Sequence, residues 1–435
     1  MFKYILTLTL LSLIFLGCSS DDNDTDTAST SSPLSGECNT QIYTSSNPTT
    51  LPMLVVLVSY NDVQISSSIT TWNSKMFGKN ESELNHYYDE ISSSQFEFSQ
   101  ATECNGVASV HLNKNHPNIS IDSLSFDSLV YPDLKASLEA LDNNISFDIY
   151  DTDANGHITP NELLVTFIIA GYEDAYEGKH VNQGIWAHQS CINSTGDIPT
   201  LDGVTIMGCA NDGNYALFGE RHEESNPHDA TIGIIAHELG HSAFNLPDLY
   251  NTDNPNSGGI GYFGLMGAGT WAQKNNTEYP GDTPVHMTAW SKVYNGWVTP
   301  DNSSGSKIMN ATNLNSFNTV KVPINDSEYY LLENRNNAGY DRGLFVLDGT
   351  FNGGLAIWRI NETQLTTDKL NSNEVNTDNN NKGVDLVEAA NSVIDSGGVG
   401  NEKNLFYSGN VDKLEVDANI TNIGERAENM LLNVN

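Results

Sequence analysis

Asp229-Ala230-Thr231-Ile232-Gly233-Ile234-Ile235-Ala236-His237-Glu238-Leu239-Gly240-His241-Ser242-Ala243-Phe244 is the stretch on which the reading of this chain turns. Ile232, Ile235, Leu239 and Ala243 recur every three or four residues, which predicts a helix with one apolar stripe. Asp229, following Pro227, is the expected N-cap. Residues four apart on a helix lie about 40° from eclipsed and about 6 Å apart along the axis, so His237 and His241 project from one face. Two imidazoles so placed can grip one metal ion, and Glu238, one residue on from the first, sets a carboxylate beside that ion without binding it. This is the arrangement a general base needs to act on water activated by zinc. The competing reading is a pair of structural histidines on a core-facing helix.

The flanking residues add a resemblance. The run from Ile235 through the two histidines to Leu246-Pro247-Asp248-Leu249-Tyr250 resembles the immune inhibitor A family of zinc metallopeptidases. Val56-Leu57-Val58-Ser59-Tyr60-Asn61-Asp62 is similar to that family's opening strand, and Asn85-His86-Tyr87-Tyr88 to its early helix. Gly264-Leu265-Met266-Gly267 with Trp271, Ala289-Trp290-Ser291-Lys292 with Gly296-Trp297, and Tyr329 to Arg335 extend the similarity across roughly residues 51 to 410.

The resemblance implies an α+β fold: a zincin-like catalytic domain with a mixed β-sheet and an active-site helix, followed by a β-rich C-terminal region. It implies Asp248 as the third zinc ligand, returned to the metal after Pro247 breaks the helix. One extra residue precedes Pro247, and Asn245 stands where the family pattern has glycine; Asn tolerates the left-handed turn required there. Glu278 is the competing third ligand. Met266 resembles a methionine turn packed beneath the metal. Tyr250 is a candidate for supporting the transition-state oxyanion, with simple packing as its alternative.

A second constellation lies in Asp151-Thr152-Asp153-Ala154-Asn155-Gly156-His157-Ile158-Thr159-Pro160-Asn161-Glu162. Asp151, Asp153, Asn155, Thr159 and Glu162 supply oxygens at the spacing of a twelve-residue calcium loop, Gly156 sits at its turn, and His157 contributes its backbone carbonyl. The flanks do not make a helix-loop-helix pair, so the expectation is a structural Ca2+ site in a loop. An ion-free acidic turn is the alternative.

The outer limits follow from composition. Acidic residues outnumber basic ones 55 to 19 over 435 residues, for a formal charge of −36, which argues against nucleic acid or an anionic membrane surface as partner. Residues 1–18 carry Lys3, an apolar run from Tyr4 to Phe15 and then Leu16-Gly17-Cys18. They resemble a lipoprotein signal peptide, which implies an outer-membrane lipid anchor at Cys18 and an extracellular or cell-surface location; an ordinary secretory peptide leads outside the cytoplasm as well. Residues 19–48 read as a polar, disordered linker, 49–300 as the metallopeptidase domain and 301–435 as the β-rich C-terminal domain.

Four cysteines remain after Cys18, an even number suited to an oxidising compartment, and the expected pairs are Cys191 with Cys209 and Cys38 with Cys104. The apolar runs Leu51–Val58 and Leu163–Gly171 predict buried strands. Further helices are expected over Ser82–Ile91 and Pro284–Tyr294, and strands over Tyr329–Glu333 and Leu355–Ile360. The function these features imply is hydrolysis of peptide bonds in extracellular proteins. A binding or adhesin lipoprotein on a catalytically silent zincin scaffold is the alternative.

Overall fold

The computed structural model describes residues 36–43, 49–119, 126–177, 182–254, 258–390 and 392–435. The segment read as a signal peptide, Cys18 and most of the stretch read as a polar linker lie outside the described residues. Among the described residues, no helix is long and apolar enough to cross a membrane. The architecture is α+β, with four sheets and few helices among those residues.

Two neighbouring central strands of the largest sheet coincide with apolar runs legible in the sequence, Leu51–Val58 and Leu163–Gly171. Val107–His111, Thr49–Ser59, Leu164–Glu173 and Tyr215–His222 lie side by side in parallel, with Met53 opposite Leu164 and Val165 opposite Tyr215. Two further parallel strands, Phe96–Gln100 and Gly184–Ile185, join it, as do antiparallel ones: Glu37–Cys38 on one edge, and both His188–Ser190 and His228–Asp229 against Tyr215–His222. The sheet is therefore mixed. Parallel strands need both faces covered, and Thr49–Ser59 shows how that is met. Met53, Val55 and Leu57 face a core shared with Ile232, Ile235 and Leu239 of the helix Ile232–Phe244. Leu54, Val56 and Val58 face a second core containing Val130, Leu134 and Leu138 of the helix Phe126–Glu139.

Several boundaries differ from those expected. The residues Gly36–Tyr43, read as linker, are ordered: Glu37 and Cys38 pair with Ser109 and Ala108, and Cys38 is bonded to Cys104. The second disulfide joins Cys191 to Cys209. The strand read over Leu163–Gly171 runs from Leu164 to Glu173, with Gly171 at φ +120° where a Cβ would meet the Gln183 carbonyl at 2.2 Å. The helix read from Ser82 starts at Leu84, and the one read from Pro284 is only Ala289–Tyr294, capped by the Thr288 hydroxyl. Asp229 is not an N-cap: it pairs with Arg221 in a short strand, and Thr231 stands at the helix N-cap.

The C-terminal region contributes a four-stranded antiparallel sheet and a smaller three-stranded one. Along Glu328–Arg335, Tyr329 and Leu331 join the core beneath the helix Ile232–Phe244, while Tyr330 and Leu332 face a third core between the C-terminal sheets. The same strand ends in a fully buried ionic group. Arg335 donates through Nε and Nη2 to Asp341, through Nη1 to Glu333 at 3.2 Å, and through Nη1 to the Phe263 carbonyl at 2.6 Å. A buried ion pair is costly to break one-sidedly, because the partner charge stays behind in a low-dielectric site. Arg335→Met is expected to lower the melting temperature by an amount corresponding to about 3–5 kcal/mol of stability. A change near zero in thermal unfolding followed by circular dichroism would show that the carboxylates find other cations.

Candidate metal centre

The helix Ile232–Phe244 is held from several sides. The Tyr88 hydroxyl, from the helix Leu84–Ile91, donates to the Ala236 carbonyl at 2.9 Å, and the Ser242 hydroxyl donates to Asn214 Oδ1 at 2.7 Å. Gly240 permits a close approach: a Cβ there would sit 2.8 Å from Met266 Sδ. The turn Gly264 to Gly267 thus packs directly under the helix between the two histidines. At the C-terminus Asn245 adopts a left-handed conformation, φ 51° and ψ 35°. Asn is the non-glycine residue best suited to it. That turn reverses the chain, and the Leu249 N–H then donates to the Met266 carbonyl at 2.7 Å, so Asp248 comes back over the helix face.

Three groups meet there. His237 Nε2 and His241 Nε2 are 3.2 Å apart, and Asp248 Oδ1 lies 3.0 Å from the first and 3.3 Å from the second. Each ring points its other nitrogen at a backbone carbonyl, His237 Nδ1 at Leu265 O at 3.1 Å and His241 Nδ1 at Leu246 O. A carbonyl only accepts, so both Nδ1 atoms carry the proton and both Nε2 atoms present lone pairs to the shared point. Asp248 Oδ1 has no hydrogen-bond donor among the described residues. Ligands of a tetrahedral zinc with bonds of 2.0–2.1 Å stand about 3.3 Å apart, so the donor set fits such an ion in spacing as well as in chemistry. These three residues could hold a metal.

The electrostatics agree. Burial disfavours charge on both His241 and Asp248, yet their mutual attraction outweighs it: the imidazole is raised and the carboxyl lowered. A dication competes for the same lone pairs as that proton. Glu238, only 7% exposed, is pushed up to about 8 by burial, with Asp248 adding to the rise and the Gln189 backbone N–H of the edge strand His188–Ser190 opposing it. Tyr250 stacks parallel to the His237 ring at 6.5 Å, and burial raises its hydroxyl well above the usual range, with the Asp248 charge adding to the rise. Glu278 is not brought to the histidines; it pairs with Lys274 Nζ at 2.9 Å and accepts from the Thr283 hydroxyl.

Two residues at this site carry no motif in the sequence. Glu173, buried at the end of the strand Leu164–Glu173, accepts from the N–H groups of Ala175, Ala187 and Gly219 at 3.0, 2.9 and 2.8 Å. It fixes the segment that leads into the strand beside Glu238, and burial raises it to about 7. Asn373, in the C-terminal region, contacts Asp248 twice, accepting from its N–H and donating to its Oδ2, both at 2.6 Å.

In the acidic loop, carboxylate oxygens of Asp151, Asp153 and Glu162 come within 4.8 Å of one another. Asp151 accepts from the N–H groups of Asn155 and Gly156, each at 2.9 Å, with Gly156 at φ +82° making the turn. Glu162 accepts from Thr152 N at 2.9 Å and, through its other oxygen, from Thr159 N and Oγ1, each at 3.0 Å. His157 and Ile158 form a short strand, and the His157 N–H donates to Asn155 Oδ1 at 2.8 Å. The loop enters from a 3-10 turn over Phe147–Tyr150 and leads into the strand beginning at Leu164, so no helix-loop-helix pair is present.

Residues 115–298 match the family pattern described as the immune inhibitor A peptidase M6 catalytic domain. The chain is similar to the pre-pro-metalloprotease PrtV of Vibrio cholerae serotype O1, 29% identical over 154 residues, covering 34% of this chain and 16% of that protein. It is likewise similar to immune inhibitor A of Bacillus thuringiensis subsp. alesti, 30% identical over 175 residues, covering 38% of this chain and 24% of that protein. The matched segment therefore spans less than a quarter of each relative's length. A solved structure, wild-type OgpA from Akkermansia muciniphila, aligns over 74% of this chain and 91% of that one at 11% identity and a TM-score of 0.27, a likeness too low to bear on the fold.

Proposed function

We propose that this chain is a zinc metalloendopeptidase of the immune inhibitor A type, with a zincin arrangement in residues 49–300 and a bracing C-terminal region in residues 301–435. The observation that carries the reading is the convergence of two imidazole lone pairs and one unpartnered carboxylate oxygen at tetrahedral spacing, beside a buried glutamate. His237, His241 and Asp248 are assigned as the zinc ligands. When bound, zinc supplies Lewis acidity, polarising the scissile carbonyl and acidifying water.

The chain's own residues do the rest. Glu238 takes the proton of the attacking water on its carboxylate and passes it to the leaving amide nitrogen; the burial that raises its proton affinity suits both transfers. The Tyr250 hydroxyl, beside His237 and Asp248, is assigned to donate to the oxyanion that develops at the carbonyl carbon. The substrates are extracellular proteins or peptides, in keeping with an exported chain carrying two disulfides. The anchor is acylated Cys18, holding the enzyme at the outer-membrane surface. The loop of Asp151, Asp153, Asn155, His157, Thr159 and Glu162 is assigned to Ca2+ in a structural role, since its carboxylates already converge and its glycine makes the turn.

Glu238→Gln is expected to keep zinc while losing about 10²–10⁴-fold in peptide hydrolysis, read as casein cleavage alongside metal content. Equal turnover would refute the assigned base, and zinc retention with no proteolysis by either protein would favour a binding scaffold. For the acidic loop, Ca2+ is expected to raise the melting temperature of the wild type, and Asp151→Ala to abolish that rise. A wild-type melting temperature indifferent to Ca2+ would leave the loop an ordinary acidic turn.

A further inference from the structure

Asp248 lies in a loop that the helix end alone does not fix. Beyond the Leu249 contacts to Met266 and Ile260, its fastenings come from a segment more than a hundred residues downstream. The Asn373 side chain bridges the Asp248 backbone N–H and the carboxylate Oδ2 at 2.6 Å each. Asn376 donates to the Leu249 carbonyl at 2.9 Å, Asn251 donates to the Thr377 carbonyl and to Asn379 Oδ1, and Lys382 Nζ reaches the Gly259 carbonyl at 3.2 Å. Asn373 itself sits at φ +59°, a left-handed position where Asn is favoured, and that turn aims its amide at Asp248.

The consequence for the carboxylate is specific. With Oδ2 occupied by the Asn373 amide, Asp248 turns Oδ1 toward the two Nε2 atoms, and Oδ1 is the oxygen left without a donor. We infer that Asn373 is a positioning residue of the metal centre, orienting Asp248 for one-oxygen ligation from a distant part of the chain. The inference rests on the assignment of Asp248 as a ligand. Hydrogen-bond partners of metal ligands fix ligand orientation, and their loss costs about 10–100-fold in metal affinity.

The test measures zinc affinity of the full chain by competition with a chromophoric chelator, with thermal unfolding of the zinc-free protein in parallel. Asn373→Gly keeps the left-handed turn and removes both contacts; it is expected to weaken zinc about 10–100-fold. Asn373→Ser, whose hydroxyl is too short to serve both groups, is expected between that variant and the wild type. Asn251→Ala cuts the same loop from the same segment without touching Asp248, and is expected to leave zinc affinity at the wild-type level. Wild-type affinity in Asn373→Gly, or an equal loss in Asn251→Ala, would overturn the inference. Asp248→Ala separates the two questions: loss of zinc there with wild-type binding in Asn373→Gly removes only the role of Asn373, whereas wild-type binding in Asp248→Ala removes the ligand assignment itself.

Discussion

Two imidazole nitrogens and a carboxylate oxygen that converge in a buried pocket call for a cation among them, and most of this fold can be understood as holding that convergence in place. His237 Nε2, His241 Nε2 and Asp248 Oδ1 are within 3.0–3.3 Å of each other, while protons that could relieve the crowding are committed to the Leu265 and Leu246 carbonyls on the far side of the rings. Such a geometry survives only where the surroundings over-determine it.

The surroundings do so in layers. The mixed sheet buries both faces of its central strands, and the helix carrying the histidines lies on one of those faces. Gly240 lets the turn around Met266 press against the helix, and that turn in turn supplies the Leu265 carbonyl to His237 and the Met266 carbonyl to the Asp248 loop. The Arg335 group ties the C-terminal sheet to the Phe263 carbonyl, just before the same turn. His237, His241, the Asp248 loop and the turn around Met266 are thereby fixed relative to one another through backbone carbonyls, which change little when side chains vary.

How much of this was legible depended on the range of the interaction. The helix and its paired histidines are local, period-based features, and the sequence displayed them; so were the apolar strands, and both cysteine pairs followed from a short candidate list. The acidic loop was equally readable, because its oxygens are spaced within twelve residues. The N-terminus of the helix was misplaced by two residues because Asp229 has a cap's chemistry but a strand partner in Arg221, and tertiary pairing overrode the local preference. The run from Pro284 resembled a helix by its apolar content, yet the chain stays extended to Thr288, whose hydroxyl is the true cap. Asn373 and Glu173 were invisible for a different reason. Asn373 meets Asp248 across the chain and Glu173 joins its own turn to the distant Gly219, and nothing in the sequence around either residue marks it.

Zinc K-edge X-ray absorption on the zinc-loaded full chain tests most directly whether His237, His241 and Asp248 form the ligand set. Two imidazole shells with a carboxylate oxygen and no sulfur are predicted, with the signal collapsing to a disordered, oxygen-only environment when both histidines are replaced by alanine. A centre that keeps its imidazole scattering in that double variant, or a wild type that takes up no zinc, would contradict the account.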